Sequence, residues 1–139
     1  MTTPDLALAT AKQVLDGEAH VRWAYVFGSV ARGGPFRDVD IAVMPTSGMP
    51  GGAIAWGQMI ARLEVALGTK VDLIDLAQAD LPLVGPMLLE RRVVVDREPA
   101  TRRAWEADLT SRWIDFKHSY DEFLARRSRA MRERMKQGD

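Results

Sequence analysis

The chain has 139 residues, no cysteine, a formal net charge of zero, and 47% hydrophobic against 27% charged residues. This is the balance of a water-soluble globular protein of one domain, or one domain with an appended element, long enough to bury a core. Disulfides and thiolate metal sites are excluded. No stretch nears the ~18 apolar residues of a membrane span, and the start MTTPDLALATAKQ lacks the basic and apolar regions of a signal peptide, so the expected location is the cytoplasm.

In chain order, Asp5 to Asp16 has helical spacing through Leu6, Ala9 and Val14 and stops at Gly17. His20 to Phe27 (HVRWAYVF) is aromatic and β-branched and predicts a strand. A glycine-rich turn follows, then a second strand over Val39 to Met44, closed by the loop PTSGMPGG from Pro45 to Gly52. Ala53 to Leu67 predicts a helix with Ile54, Met59, Ile60, Leu63 and Leu67 on its apolar side and Gly68 at its end. Lys70 to Leu76 (KVDLIDL) predicts a third strand, and Leu81 to Glu90 a short helix capped by Asp80. Arg92 to Asp96 predicts a fourth strand or sheet edge. The sum is an α+β fold, a small mixed β-sheet of about four strands flanked by helices, with a long C-terminal helical segment.

That last segment runs from Pro99 to about Lys136, with Trp105, Leu109, Trp113, Phe116, Tyr120 and Phe123 in one stripe. Unbroken, it would be roughly 55 Å long at ~1.5 Å per residue, against a radius of gyration of about 13 Å for a ~100-residue body. It must fold back or protrude. The stripe up to Phe116 is expected in the core, and beyond Tyr120 core and partner contact stand as equal alternatives. From Ala125 to Lys136 six basic residues face Glu133 alone, so the rest of the chain carries the compensating negative charge. An acidic partner or nucleic acid would suit such a tail; so would a solvated helix end whose cations complement the helix dipole.

Chemistry concentrates in YVFGSVARGGPFRDVDIAVM, Tyr25 to Met44. Residues two apart on a strand share a face, so Asp38 and Asp40 sit side by side. Two carboxylates this close resist joint ionisation unless a cation neutralises them. Oxygen donors without histidine or cysteine nearby point to a hard ion, Mg²⁺ or Mn²⁺. Asp72, inside KVDLIDL on the face of Ile74 and Leu76, is the third candidate, and its expected burial asks for an explanation; Asp75, on the other face, reads as a turn acceptor. Gly28 and Ser29 follow a strand and open a turn where backbone N–H groups and a hydroxyl can cradle phosphate. Arg32, one turn on, would neutralise phosphate charge or form a structural ion pair. The aspartates could also be solvated edge residues bonded to Arg32 and Arg37. A phosphate cradle and metal carboxylates within one hairpin favour phosphoryl or nucleotidyl transfer.

These residues carry a resemblance. FGSVARGGPFRDVDIAV resembles the Gly-Ser and Asp-x-Asp signature of the DNA polymerase β-like nucleotidyltransferase superfamily. More closely, with GTKVDLIDL and WIDFKHSYDEFLARRSRAMRERM, the chain from Val21 is similar to the minimal nucleotidyltransferases (MNT proteins) encoded beside HEPN-domain partners. The resemblance implies a nucleotidyltransferase fold over residues 1–98, and a helical extension over 99–139 that belongs to the same unit or binds a partner. It implies that Gly28 and Ser29, supported by Arg32, bind the triphosphate of ATP. Asp38, Asp40 and Asp72 would be catalytic and hold Mg²⁺, with Asp72 activating the attacking hydroxyl. The family usually has ten residues between Gly-Ser and the first aspartate; here Val30 to Arg37 is eight, with Arg37 beside the metal site. The expected function is that of an antitoxin transferring AMP to a tyrosine hydroxyl of a HEPN toxin. A non-catalytic antitoxin that neutralises the toxin by binding, and an enzyme with a small-molecule or RNA acceptor, are the alternatives; direct nucleic-acid binding is not expected.

Overall fold

The computed structural model describes residues 2–137. Helix α1 (Pro4–Asp16) starts at Thr3, whose Oγ1 accepts a hydrogen bond from the Leu6 N–H at 3.1 Å, and Pro4 occupies the first turn, where no N–H is required. Its buried residues are Ala7, Ala11 and Leu15, in steps of four; of the spacing through Leu6, Ala9 and Val14 only Val14 packs against the core, and Leu6 and Ala9 are exposed. The small side chains decide this, because alanine lets the helix lie close against the sheet and the neighbouring helices.

Strand β1 (Val21–Phe27) leads into the single turn α2 (Gly28–Ala31) and strand β2 (Val39–Pro45). Helix α3 (Ala53–Leu67) crosses to β3 (Val71–Asp75), α4 (Leu81–Met87) follows, and β4 (Arg92–Asp96) precedes α5 (Pro99–Lys136). The sheet order is β3-β2-β1-β4, with β1 antiparallel to β2 and β4, and β2 parallel to β3. The parallel pair requires a crossover, which α3 supplies. Gly68 ends α3 with φ of 70°, a left-handed cap suited to glycine.

Each sheet face carries its own core. On one, Val26, Val39, Ile41, Val43 and Val71 pack with α1, Val30 of α2, and Met59, Leu63 and Leu67 of α3. Ile54, expected on that apolar side, is exposed; five residues before Met59 it lies about 140° round the helix. On the other face Trp23, Tyr25, Ala42, Met44 and Leu76 meet Val84 and Met87 of α4 and Leu109 of α5. Asp80 stands at the N-cap of α4 but its side chain makes no capping bond, and that helix ends at Met87, short of the expected Glu90.

Helix α5 runs unbroken for 38 residues. Only its first four turns are held. Arg102 and Glu106 are buried there, with Arg102 Nη1 2.7 Å from Glu106 Oε1, Arg102 Nη2 3.0 Å from Asp96 Oδ2, and Arg91 Nη2 2.8 Å from Glu106 Oε2. Trp105 tilts against Trp23 with ring centroids 5.8 Å apart, and the Trp113 ring lies on Gly85 of α4. Beyond Trp113 every described residue is exposed, including Phe116, which was expected in the core. The body is too small to cover the helix further, so its distal half protrudes. No helix among the described residues is long and apolar enough to cross a membrane.

Candidate active site

The register of the sheet assembles the aspartates. In the parallel pair Asp40 lies directly opposite Asp72, and in the antiparallel pair Asp40 faces Phe27, the residue before Gly28. Asp38 precedes β2 by one residue. Ser29, Arg37, Asp38, Asp40 and Asp72 thus line one open cleft of about 480 Å³, with Pro35 and Phe36 forming its apolar wall. The cleft lies on the sheet face shared by Ala42, Met44, Ile74 and Leu76, past the end of the core that α4 and α5 cover.

Gly28 has φ of 70°, a left-handed conformation that side chains disfavour, and a methyl group added there would overlap Asp40 Oδ2. The turn from β1 is therefore pressed against the carboxylate. The N–H groups of the first turn of α2 have no partner within the helix. The eight residues from Val30 to Arg37 close compactly: Gly34 N–H bonds Ser29 C=O at 3.3 Å, Gly33 takes φ of 79°, and Phe36 packs on the core. The Thr69 hydroxyl donates to the Arg37 carbonyl, and the Val39 N–H donates to the Lys70 carbonyl at 3.0 Å, tying this turn to the entry of β3. The shortened turn thus still delivers Ser29 and the aspartates to one cleft.

The carboxylates differ in environment. Asp40 is half-buried, and its pKa is raised, first by burial and then by the charges of Asp72 and Asp38, against a smaller opposing effect from Arg32. Asp72 was expected to be buried within its strand, but its side chain is 52% exposed, because β3 is the sheet edge and no helix covers that end; Lys70 Nζ stands 3.9 Å from it. Asp38 is exposed as well. Asp75 accepts from the Ala77 N–H at 2.9 Å and so serves its turn. Among the described residues no three such groups stand close enough to enclose an ion by themselves. An all-oxygen, mutually repelling set open to a cleft nonetheless fits Mg²⁺, which takes one or two carboxylates and completes its octahedron with water and substrate phosphate.

Arg32 caps α2, with Nη2 donating to Ser29 Oγ at 3.3 Å and Nη1 to Glu90 Oε2 at 2.6 Å. Glu90 belongs to no motif, and nothing in the sequence pointed to it, since it meets Arg32 across 58 positions. Phe36 and Pro35 were equally unread; their only signal was an apolar pair between the glycines and the aspartates.

Comparisons with known proteins bear on the family and the fold. Residues 9–100 match the polymerase beta nucleotidyltransferase family. The chain is similar in fold to one from the Shewanella oneidensis complex of a tri-AMPylated HEPN toxin with MNT antitoxin, at 20% identity and TM-score 0.67, covering 88% of this chain and 96% of that one. It is similar to a chain of a toxin–antitoxin crystal structure with AMP-PNP, at 23% identity and TM-score 0.61, covering 92% and 98%. A structure described as a minimal nucleotidyltransferase is 28% identical with TM-score 0.55, covering 66% of this chain and 95% of that one. None of the curated proteins matches the chain.

Proposed function

The chain belongs to the polymerase β nucleotidyltransferase family, and on that footing we propose that it is the antitoxin of a HEPN–MNT pair, acting as a protein adenylyltransferase. It transfers AMP from ATP to a tyrosine hydroxyl of its HEPN toxin. The observation that carries this reading is the register that sets Asp40 beside Asp72 with Gly28 pressed against Asp40, all on one cleft with Ser29. The fold neighbours, one containing an AMPylated HEPN toxin and one an ATP analogue, support the choice of partner and nucleotide.

In the proposed reaction the tyrosine oxygen attacks the α-phosphorus in line, the bond to the bridging oxygen of the β-phosphate breaks, and pyrophosphate leaves. Gly28 and Ser29 hold the triphosphate through backbone N–H groups and the hydroxyl, with Arg32 beside them. Asp38 and Asp40, with Asp72, would hold Mg²⁺ or Mn²⁺, which when bound neutralises charge at the reacting phosphates. Asp72, exposed at the sheet edge, takes the proton of the incoming hydroxyl, since an acceptor on a protein surface must approach from the open side. The extension over residues 99–139 serves to dock the toxin through the protruding stripe of α5. The test is to incubate the protein with MgATP and the HEPN partner and weigh the products. AMP adducts on the toxin, lost in Asp38→Asn/Asp40→Asn, are expected.

A second reading is favoured by the same exposed stripe: neutralisation by complex formation alone. If the double aspartate variant protected cells from the toxin as well as the parent does, that reading would replace the first.

A further inference from the structure

Arg32 lies beside Ser29, which lines the cleft, with its side chain 57% exposed, free to take many rotamers unless something holds it. Its charge bears on Asp40, which stands with Asp38 and Asp72 in a group of three carboxylates. An unrestrained guanidinium would be drawn onto those carboxylates, covering the place that a cation and phosphates would take. It is not there. The Glu90 carboxylate, presented from the turn between α4 and β4, accepts from Arg32 Nη1 at 2.6 Å, while Nη2 donates to Ser29 Oγ at 3.3 Å.

That second bond has a consequence for Ser29. A hydroxyl has one proton and two lone pairs. Once its oxygen accepts from the guanidinium, the proton is turned away from Arg32. Ser29 lines the cleft, so its O–H becomes a donor available to an anionic ligand there. The guanidinium is a rigid fork, so fixing Nη1 and Nη2 on these two acceptors also fixes its remaining N–H groups.

We propose that Glu90 is a positioning residue for the nucleotide: it fastens Arg32 against Ser29, so that Ser29 offers its hydroxyl proton and Arg32 its free N–H groups to the triphosphate. Glu90 itself, being anionic, does not touch phosphate. This inference rests on the nucleotidyl-transfer reading above. It links two segments that the chain brings together only on folding, and it assigns work to an ion pair that is too exposed to add much to stability.

The experiment is titration of the full-length protein with AMP-PNP in Mg²⁺, followed by steady-state adenylylation of the toxin. Glu90→Ala is expected to weaken AMP-PNP binding about tenfold, the loss of one charge-assisted contact, and to raise KM for ATP while kcat changes little. Glu90→Gln keeps an acceptor for Nη1 and should fall between. In an Arg32→Ala background the effect of Glu90→Ala should largely disappear, a coupling that a merely structural role would not produce. Melting temperatures of all variants confirm that they are folded. Equal or tighter binding by Glu90→Ala, or an undiminished loss in the Arg32→Ala background, overturns the proposal while leaving the transfer reading intact. Failure of the parent protein to bind AMP-PNP at all brings down both.

Discussion

Gly28 shows how one residue can be required twice. Its backbone lies in the left-handed region, and the space where a Cβ would stand is filled by the Asp40 carboxylate. Gly28→Ala is therefore expected to cost of order 1–3 kcal/mol in backbone strain. Because it displaces Asp40 as well, adenylylation should fall about 100-fold or more, as for other small misplacements of reacting groups; urea unfolding and a single-turnover assay measure the two effects. Asp40 itself is a strained neighbour. Its pKa is raised in the folded protein by burial, Asp72 and Asp38. The ionised form is thus disfavoured by folding, and this contribution to stability grows as pH falls through the folded value toward the unfolded one. Asp40→Asn, though inactive in transfer, should melt a few degrees higher than the parent in EDTA at neutral pH, with the gain shrinking on acidification. An unchanged or lower melting temperature at neutral pH would show that the carboxylates do not repel.

Among elements, α5 is docked by the near part of its aromatic stripe, Trp105, Leu109 and Trp113, together with a buried charge cluster. Glu106 serves Arg91 and Arg102 together, and both it and Arg102 are buried. Removing it takes a partner from two guanidiniums, although Arg102 keeps Asp96 and Arg91 the Leu88 carbonyl, so Glu106→Ala should destabilise by about 2–3 kcal/mol. Glu98→Ala breaks the more exposed pair with Arg22 (2.6 Å) and should leave the unfolding midpoint nearly unchanged. Chemical denaturation of both variants checks the contrast. The element positions were legible in the chain, because α3 is bounded by Gly52 and Gly68 and the strands by turn residues. The buried faces were less so. Ala7, Ala11 and Leu15 face the core, with Val14 packed at its margin, while Leu6 and Ala9 are exposed, because helix packing favours close approach over the most apolar side chains.

On the scale of the molecule, α5 divides the protein into a packed body and a projecting arm. Phe116, Tyr120 and Phe123 lie exposed on the arm, the first two stacked with centroids 6.0 Å apart, and only Phe116 reaches toward the body, its ring 5.7 Å from that of Trp113. Replacing all three by serine should leave the melting temperature nearly unchanged, since exposed substitutions usually stay within about 0.5 kcal/mol each. It should abolish co-elution with the proposed HEPN partner in gel filtration. An intact complex would place the docking surface elsewhere.

The sequence by itself determined the mixed four-stranded sheet, the helices and the pairing of Gly28-Ser29 with Asp38 and Asp40, because periodicity and turn chemistry are local properties of neighbouring residues. Asp72 was also legible, as an unusual charge within a strand. Only the tertiary structure decided that Asp72 stands opposite Asp40 and open to solvent, that Phe36 walls the cleft, and that Glu90 holds Arg32. It also decided that Phe116 lies outside the core. These facts depend on strand register, on which edge a helix leaves uncovered, and on how far the body reaches along α5. Each is a relation between segments distant in the chain, and no window of the sequence contains it.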